Sequence, residues 1–211
     1  MNFTINALYI GKPQQFKKPG LKSSINRQEV SEIKISNKLL IGDEVSNKKY
    51  HGGANRVLHF YPIEHYQYFQ EIYSGTLFIP GSIGENISTK GLNELNVNIG
   101  DIYQVGNIKC QITEPRFPCG IIDLQFEIKS LHKEALFARK LGWFSNVLED
   151  GTITTKDKIT LLDRPYPKLS LDRVINALNE DNQEKVLEEM IKNPILSASW
   201  KNKALKKIEL S

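Results

Sequence analysis

Ile108-Lys109-Cys110-Gln111-Ile112-Thr113-Glu114-Pro115-Arg116-Phe117-Pro118-Cys119-Gly120 is the stretch on which the fold turns. Ile108, Cys110 and Ile112 alternate with Lys109, Gln111 and Thr113, the period of a strand with one buried face. The strand then runs into a loop stiffened by Pro115 and Pro118 and relaxed at Gly120. The same grammar continues outward. Phe3 to Tyr9 alternates and stops at Gly11, and Ile33 and Ile35 sit among polar neighbours. Arg56 to Tyr61 reads as another strand. Pro62 is placed where the first turn of a helix tolerates proline, with His65, Tyr66 and Phe69 at helical spacing behind it. A second helix is predicted over Ser130 to Leu141, stopped by Gly142. Trp143 to Leu148 and Ile153 to Leu162 read as a hairpin about Glu149-Asp150-Gly151. The class is α+β, mostly β.

After Arg164 the pattern changes. Pro165 and Pro167 break the chain. Three helical stripes follow, led by Leu171, Val174, Ile175 and Leu178, then Val186, Leu187, Met190 and Ile191, then Trp200, Leu205 and Ile208. Ser170, Asn182 and Ser197 stand in N-cap positions. The organisation predicted is a β-rich unit over 1–164 and a three-helix unit over 165–211. The second is small enough to need docking on the first or on a partner subunit.

Composition narrows the function classes. The 211 residues carry 28 Lys and Arg against 24 Asp and Glu, a net charge of +4. The lysines are scattered as on a solvated surface, so nucleic acid is not the expected partner. No apolar run is long enough for a bilayer-spanning helix and Met1 to Tyr9 lacks a secretory pattern, so a cytoplasmic location without membrane attachment is expected. Two cysteines cannot build a disulfide framework, which favours a reducing compartment. Neither a phosphate-binding Gly-Lys-Ser/Thr loop nor Gly-x-Gly-x-x-Gly occurs. Pro80 stands where a nucleophile elbow needs its first glycine, and the cysteines and histidines lack zinc spacing.

Three constellations carry chemistry. In Lys49-Tyr50-His51-Gly52-Gly53-Ala54-Asn55-Arg56, two glycines let backbone N–H groups approach a ligand and Arg56 can clamp an anion. A plain turn is the competing explanation. In Gly81-Ser82-Ile83-Gly84-Glu85-Asn86-Ile87, Glu85 and Asn86 offer opposite hydrogen-bonding character from adjacent positions, against an ordinary Asn turn. In the opening stretch, Cys110 falls on the apolar strand face and behaves as a small hydrophobe. Cys119, in a polar loop three residues from Arg116, is a candidate thiolate for nucleophilic chemistry or soft-metal ligation.

Together these segments resemble the MOSC family, the domain named after the C-terminal part of molybdenum cofactor sulfurase, and its YiiM-like bacterial branch. The residues that carry the resemblance are Gly42-Asp43-Glu44, Lys49 to Arg56, Tyr61-Pro62-Ile63-Glu64-His65-Tyr66, Gly84-Glu85-Asn86-Ile87-Ser88, Asn98-Ile99-Gly100-Asp101 and Pro115-Arg116-Phe117-Pro118-Cys119. They stand in family order over roughly Lys22 to Asp163, and the tail is similar to the three-helix extension of this branch. The resemblance implies a mixed β-barrel that binds a molybdopterin-type molybdenum cofactor, with Cys119 as thiolate on the metal and His51 beside it. Gly52, Gly53, Arg56, Gly84, Glu85, Asn86 and Arg116 fall on motif positions expected to line the pocket. It assigns no role to Ser23 or Arg27, and pyridoxal phosphate is not expected.

The function implied is reduction of N-hydroxylated compounds, such as N-hydroxylated base analogues. Cys119 would anchor the metal and His51 supply a proton. The chain has no flavin, haem or iron–sulfur motif, so the electrons would come from a separate reductase. The alternatives are a persulfide sulfur carrier on Cys119, a cofactor-handling protein, or a binding module that recruits a partner through its tail. A homodimer fits this branch.

Overall fold

The computed structural model describes residues 2–47 and 52–210. Its centre is a closed barrel of seven strands. The order around it is β13 (Lys158–Asp163), β9 (Ile102–Val105), β10 (Ile108–Pro115), β11 (Trp143–Glu149), β7 (Leu58–Pro62), β8 (Ile87–Lys90) and β1 (Asn2–Ile10). Closure comes from β13 pairing back onto β1, with Phe3 opposite Ile159. Only β7 and β8 run parallel among these pairs; the others are antiparallel, so the barrel is mixed as expected. β4 (Gln28–Val30) extends the far half of β1. β2 (Gln14–Phe16) pairs with β3 (Lys18–Ser23) as a small ribbon beside it.

The alternation in β10 does what its sequence predicts. Ile108, Cys110 and Ile112 are fully buried, and burial pushes the Cys110 thiol up to about 12, which makes it an inert core residue. Leu58 to Pro62 is buried on both faces because β7 lies in the middle of the barrel wall with α1 (Ile63–Ile72) folded over it. Phe60 stacks on Trp143 across the β7–β11 pair, ring centroids 5.9 Å apart. Burying one such apolar side chain contributes roughly 1.5–3 kcal/mol.

Four local expectations are corrected. The hairpin about Glu149-Asp150-Gly151 does not form. β12 (Gly151–Thr154) leaves β11 and pairs with β5 (Glu32–Ser36), which also pairs with β6 (Leu39–Leu40), and β13 rejoins the barrel beside β9. A tight turn fixes where the chain bends, but Ile153 buries itself opposite Ile33, not against β11. The second helix, α3, covers only Leu131–Phe137 because Arg139 enters the left-handed region, φ +56°. The helix expected to begin at Pro62 does follow the strand, but Pro62 is the last residue of β7 and the N-cap of α1, one position before the first helical residue. Asn182, φ +58°, precedes the N-cap, which is Gln183. A further helix, α2 (Ile121–Phe126), follows Cys119 and Gly120 at once.

The last three helices are α4 (Leu171–Asn179), α5 (Glu184–Lys192) and α6 (Ala198–Glu209). Ser170 caps α4 by accepting from the Arg173 N–H, 3.3 Å. Val174, Ile175, Leu187, Met190 and Trp200 are fully buried. Trp200 reaches the end of β10, where its indole N–H donates to the Pro115 carbonyl at 3.0 Å. Among the described residues no helix is long and apolar enough to cross a membrane.

Candidate functional site

A cavity of about 220 Å³ opens at one end of the barrel, between two walls. The first is built from β7, the turn into β8, and the 21–27 segment. His59, on β7, lines it, and its Nδ1 lies 2.9 Å from the Gly84 carbonyl. A carbonyl only accepts, so Nδ1 carries the hydrogen and Nε2 is the ring atom able to take up a proton. Asn86 also lines the cavity, but its amide is committed to the barrel. Oδ1 accepts from the His59 N–H at 3.0 Å and Nδ2 donates to the Tyr9 carbonyl at 3.3 Å. Gly84 adopts φ +85° and packs against Ile25.

Behind this wall lies Glu85. Its carboxylate is 0% exposed and accepts from the Tyr66 hydroxyl and the Gly81 N–H, both at 2.7 Å. Burial raises its pKa above the ordinary carboxylate value, against the pull of those hydrogen bonds. Glu85 therefore holds the 81–84 turn in place and does not face the cavity as its motif position suggests.

The second wall is the end of β10 and the loop to Gly120. Arg116 is 8% exposed and lines the cavity, and its backbone N–H donates to the Gly142 carbonyl at 3.0 Å. Among the described residues its guanidinium has no hydrogen-bond or ion-pair partner. Buried cations normally have one. Arg56 pairs through Nε with the buried Glu114 and lies over the Phe144 ring, Cζ to centroid 5.7 Å. Arg27 pairs with Asp43, which also accepts from the Gly11 N–H at 2.8 Å. Burial lowers the pKa of Arg27 from the usual guanidinium range, Asp43 opposes this, and the like charge of Arg116 adds to the lowering. Three guanidinium groups against two paired carboxylates leave the cavity electropositive, suited to an anion.

Glu94 supports this second wall from behind. Its Oε1 accepts from the N–H groups of Leu141 and Gly142, at 2.9 and 2.7 Å, and Oε2 lies 2.7 Å from His65 Nε2. Burial raises the Glu94 pKa, but the His65 charge and these hydrogen bonds outweigh it and hold the carboxyl below its ordinary value. Gly142 itself has φ +67°, and a Cβ there would lie 2.3 Å from the Phe60 carbonyl, so only glycine fits where the two walls meet.

Of the residues singled out in the sequence, the cavity brings together Arg56, Gly84, Asn86, Arg116 and Cys119. Cys119 is the half-buried free thiol on its lining. Gly52 and Gly53 do not line it, and His51 lies outside the described residues. Ser23 and Arg27, to which the sequence assigned nothing, do line it, and so does His59. His59 was hidden between Leu58 and Phe60. The signal that could have found it is a polar side chain inside an otherwise continuous apolar strand. Among the described residues no group of three or more His, Cys, Asp or Glu is placed to hold a metal ion.

The model of the MOSC domain family matches residues 47–160. Protein YiiM of Escherichia coli strain K12 is 35% identical over 160 residues, 74% of this chain and 71% of that protein. A protein of Gibberella moniliformis named "Reductase" is 36% identical over 146 residues, 66% of this chain but 26% of that protein. The crystal structure of YiiM from Geobacillus stearothermophilus superposes with a TM-score of 0.80 at 27% identity, covering 98% of this chain and 99% of the other.

Proposed function

Because the chain belongs to the MOSC domain family, we propose that its cavity holds a molybdopterin-type molybdenum cofactor and that the protein is an oxidoreductase that reduces N-hydroxylated compounds. The observation that carries the reading is the pairing of Arg116, a buried guanidinium with no partner among the described residues, with the Cys119 thiol on one lining. The residues fit such a group. One protein thiolate suffices for a metal whose other sulfur ligands come from the pterin, and arginine suits its phosphate or pterin oxygens. The reductase-named fungal relative is in keeping with a redox role.

When bound, the cofactor would supply a two-electron centre able to accept an oxygen atom. The chain's own residues would do the rest. Cys119 would ligate the metal, Arg116 and Arg56 would hold the anionic part, and Gly84 would let the wall approach closely. Reduction of R–NHOH to R–NH2 and water consumes two electrons and two protons. The electrons would come from a separate reductase protein. His51 is the proposed proton donor.

Elemental analysis of the protein made in a host that synthesises the cofactor tests this. One molybdenum per chain is expected in the wild type and none in Cys119→Ala. Lack of molybdenum in the wild type, or its retention in Cys119→Ala, would sink the assignment. A labile extra sulfur on Cys119 in intact mass spectra, without molybdenum, would point instead to a sulfur carrier.

A further inference from the structure

The N-terminal half of α6 grips the segment from Glu114 to Phe117 at four points. The Ser197 hydroxyl donates to the Glu114 carboxylate, whose other oxygen accepts from Arg56 Nε. The Trp200 indole N–H donates to the Pro115 carbonyl at 3.0 Å. The Phe117 ring lies edge-on to Trp200, centroids 5.8 Å apart, and the Lys203 ammonium sits 4.0 Å from the Phe117 centroid on α6's next turn. Glu114 and Trp200 are each 1% exposed, so the two hydrogen bonds end on groups held out of water, where a missing partner is costly, whereas Phe117 is 41% exposed and its ring contacts lie at the surface.

Ser197 stands in an N-cap position, yet its side chain makes no capping hydrogen bond. Its hydroxyl is spent on Glu114 instead. A residue that only stabilised α6 would bond the helix's own N–H groups. Through Glu114 the helix reaches Arg56, and through Pro115 it fixes the chain immediately before Arg116, so two separate parts of the cavity lining answer to one helix.

We propose that Ser197 and Trp200 are positioning residues for the cavity. The C-terminal helices set where Arg116, Cys119 and Arg56 sit, beyond adding bulk to the barrel. The proposal concerns the cavity's shape and holds whether or not a molybdenum cofactor fills it.

The test is the rate at which iodoacetamide alkylates Cys119 in the full-length protein, read by peptide mass spectrometry, with the buried Cys110 as internal reference. Ser197→Ala and Trp200→Phe are each expected to speed alkylation of Cys119 roughly fivefold, the factor that one net hydrogen bond is worth in a local opening equilibrium. Ser197→Thr, which keeps the hydroxyl, should restore the wild-type rate. Val186→Ala, which trims the buried face of α5 and leaves the 114–117 contacts intact, should leave Cys119 alkylation unchanged. Circular dichroism establishes that each variant is folded, and Ser197→Ala alone decides the matter should Trp200→Phe fail to fold. Unchanged rates in the folded variants, or an equal rise in Val186→Ala, would overturn the proposal.

Discussion

The two walls of the cavity use their polar residues in opposite ways. On the β7–β8 side, Asn86 bridges His59 and Tyr9, and Glu85 binds Tyr66 and Gly81, so the motif's polar atoms build the wall itself. On the β10 side, the Arg116 guanidinium is left without a partner among the described residues and Cys119 stands half-buried beside it. A sequence motif therefore mixes residues that shape a site with residues available to a ligand, and only the hydrogen-bond inventory separates them. Each wall also has a buried glutamate behind it. The two titrate in opposite senses, Glu85 raised because burial outweighs its hydrogen bonds and the Arg27 charge, and Glu94 lowered because His65 and two backbone N–H groups overcome burial.

The contrast breaks most violently at Gly142, where the walls touch. Gly142→Ala forces a Cβ into the Phe60 carbonyl from a left-handed backbone, and is expected to cost more than about 3 kcal/mol, seen as a large drop in urea midpoint or no soluble protein. A tolerated alanine there would mean the walls are not locked together. Next, Asn86→Ala should lose about 2 kcal/mol by stranding the His59 N–H and the Tyr9 carbonyl. Arg116→Ala should unfold at nearly the wild-type midpoint while molybdenum content falls; the reverse pattern would erase the distinction between the walls.

The thiols sharpen the comparison within a single strand and its loop. Cys110→Ser puts a hydroxyl into the core and should cost about 1–2 kcal/mol, whereas Cys119→Ser should stay within about 0.5 kcal/mol in thermal unfolding. The smallest effect is in the pH dependence. Glu94, held below its ordinary value, adds stability that is present above that value and lost as pH falls through its folded pKa. Glu85, held above its ordinary value, adds stability in acid that is lost as pH rises toward its folded pKa. Urea titrations from about pH 4 to about pH 8 should show Glu94→Gln most damaging at the neutral end and Glu85→Gln most damaging at the acid end. Parallel slopes would remove the second half of the comparison.

Much of this was legible in the letters. β1, β5 and β10 declare themselves by alternation, and Cys110 and Cys119 are told apart by which side of Pro115 they occupy. What was not legible is pairing at a distance. Ile153 looks equally suited to β11 or to β5, because alternation specifies a face and not a neighbour. Ser197 looks like a helix cap because its true partner, Glu114, lies 83 positions away. His59 and Arg27 escaped for the same reason: their meaning is the cavity they share, which no local window contains.

Closure of the barrel also orders events in time. Phe3 meets Ile159 only when about 150 residues have been made between them, and α6 is translated later still. Until then the edges of β1 and β13 that meet in the closed barrel lack their partners, so closure is a non-local step that comes late in folding. The hold of α6 on Glu114 and Pro115 likewise cannot form before Trp200 has been made.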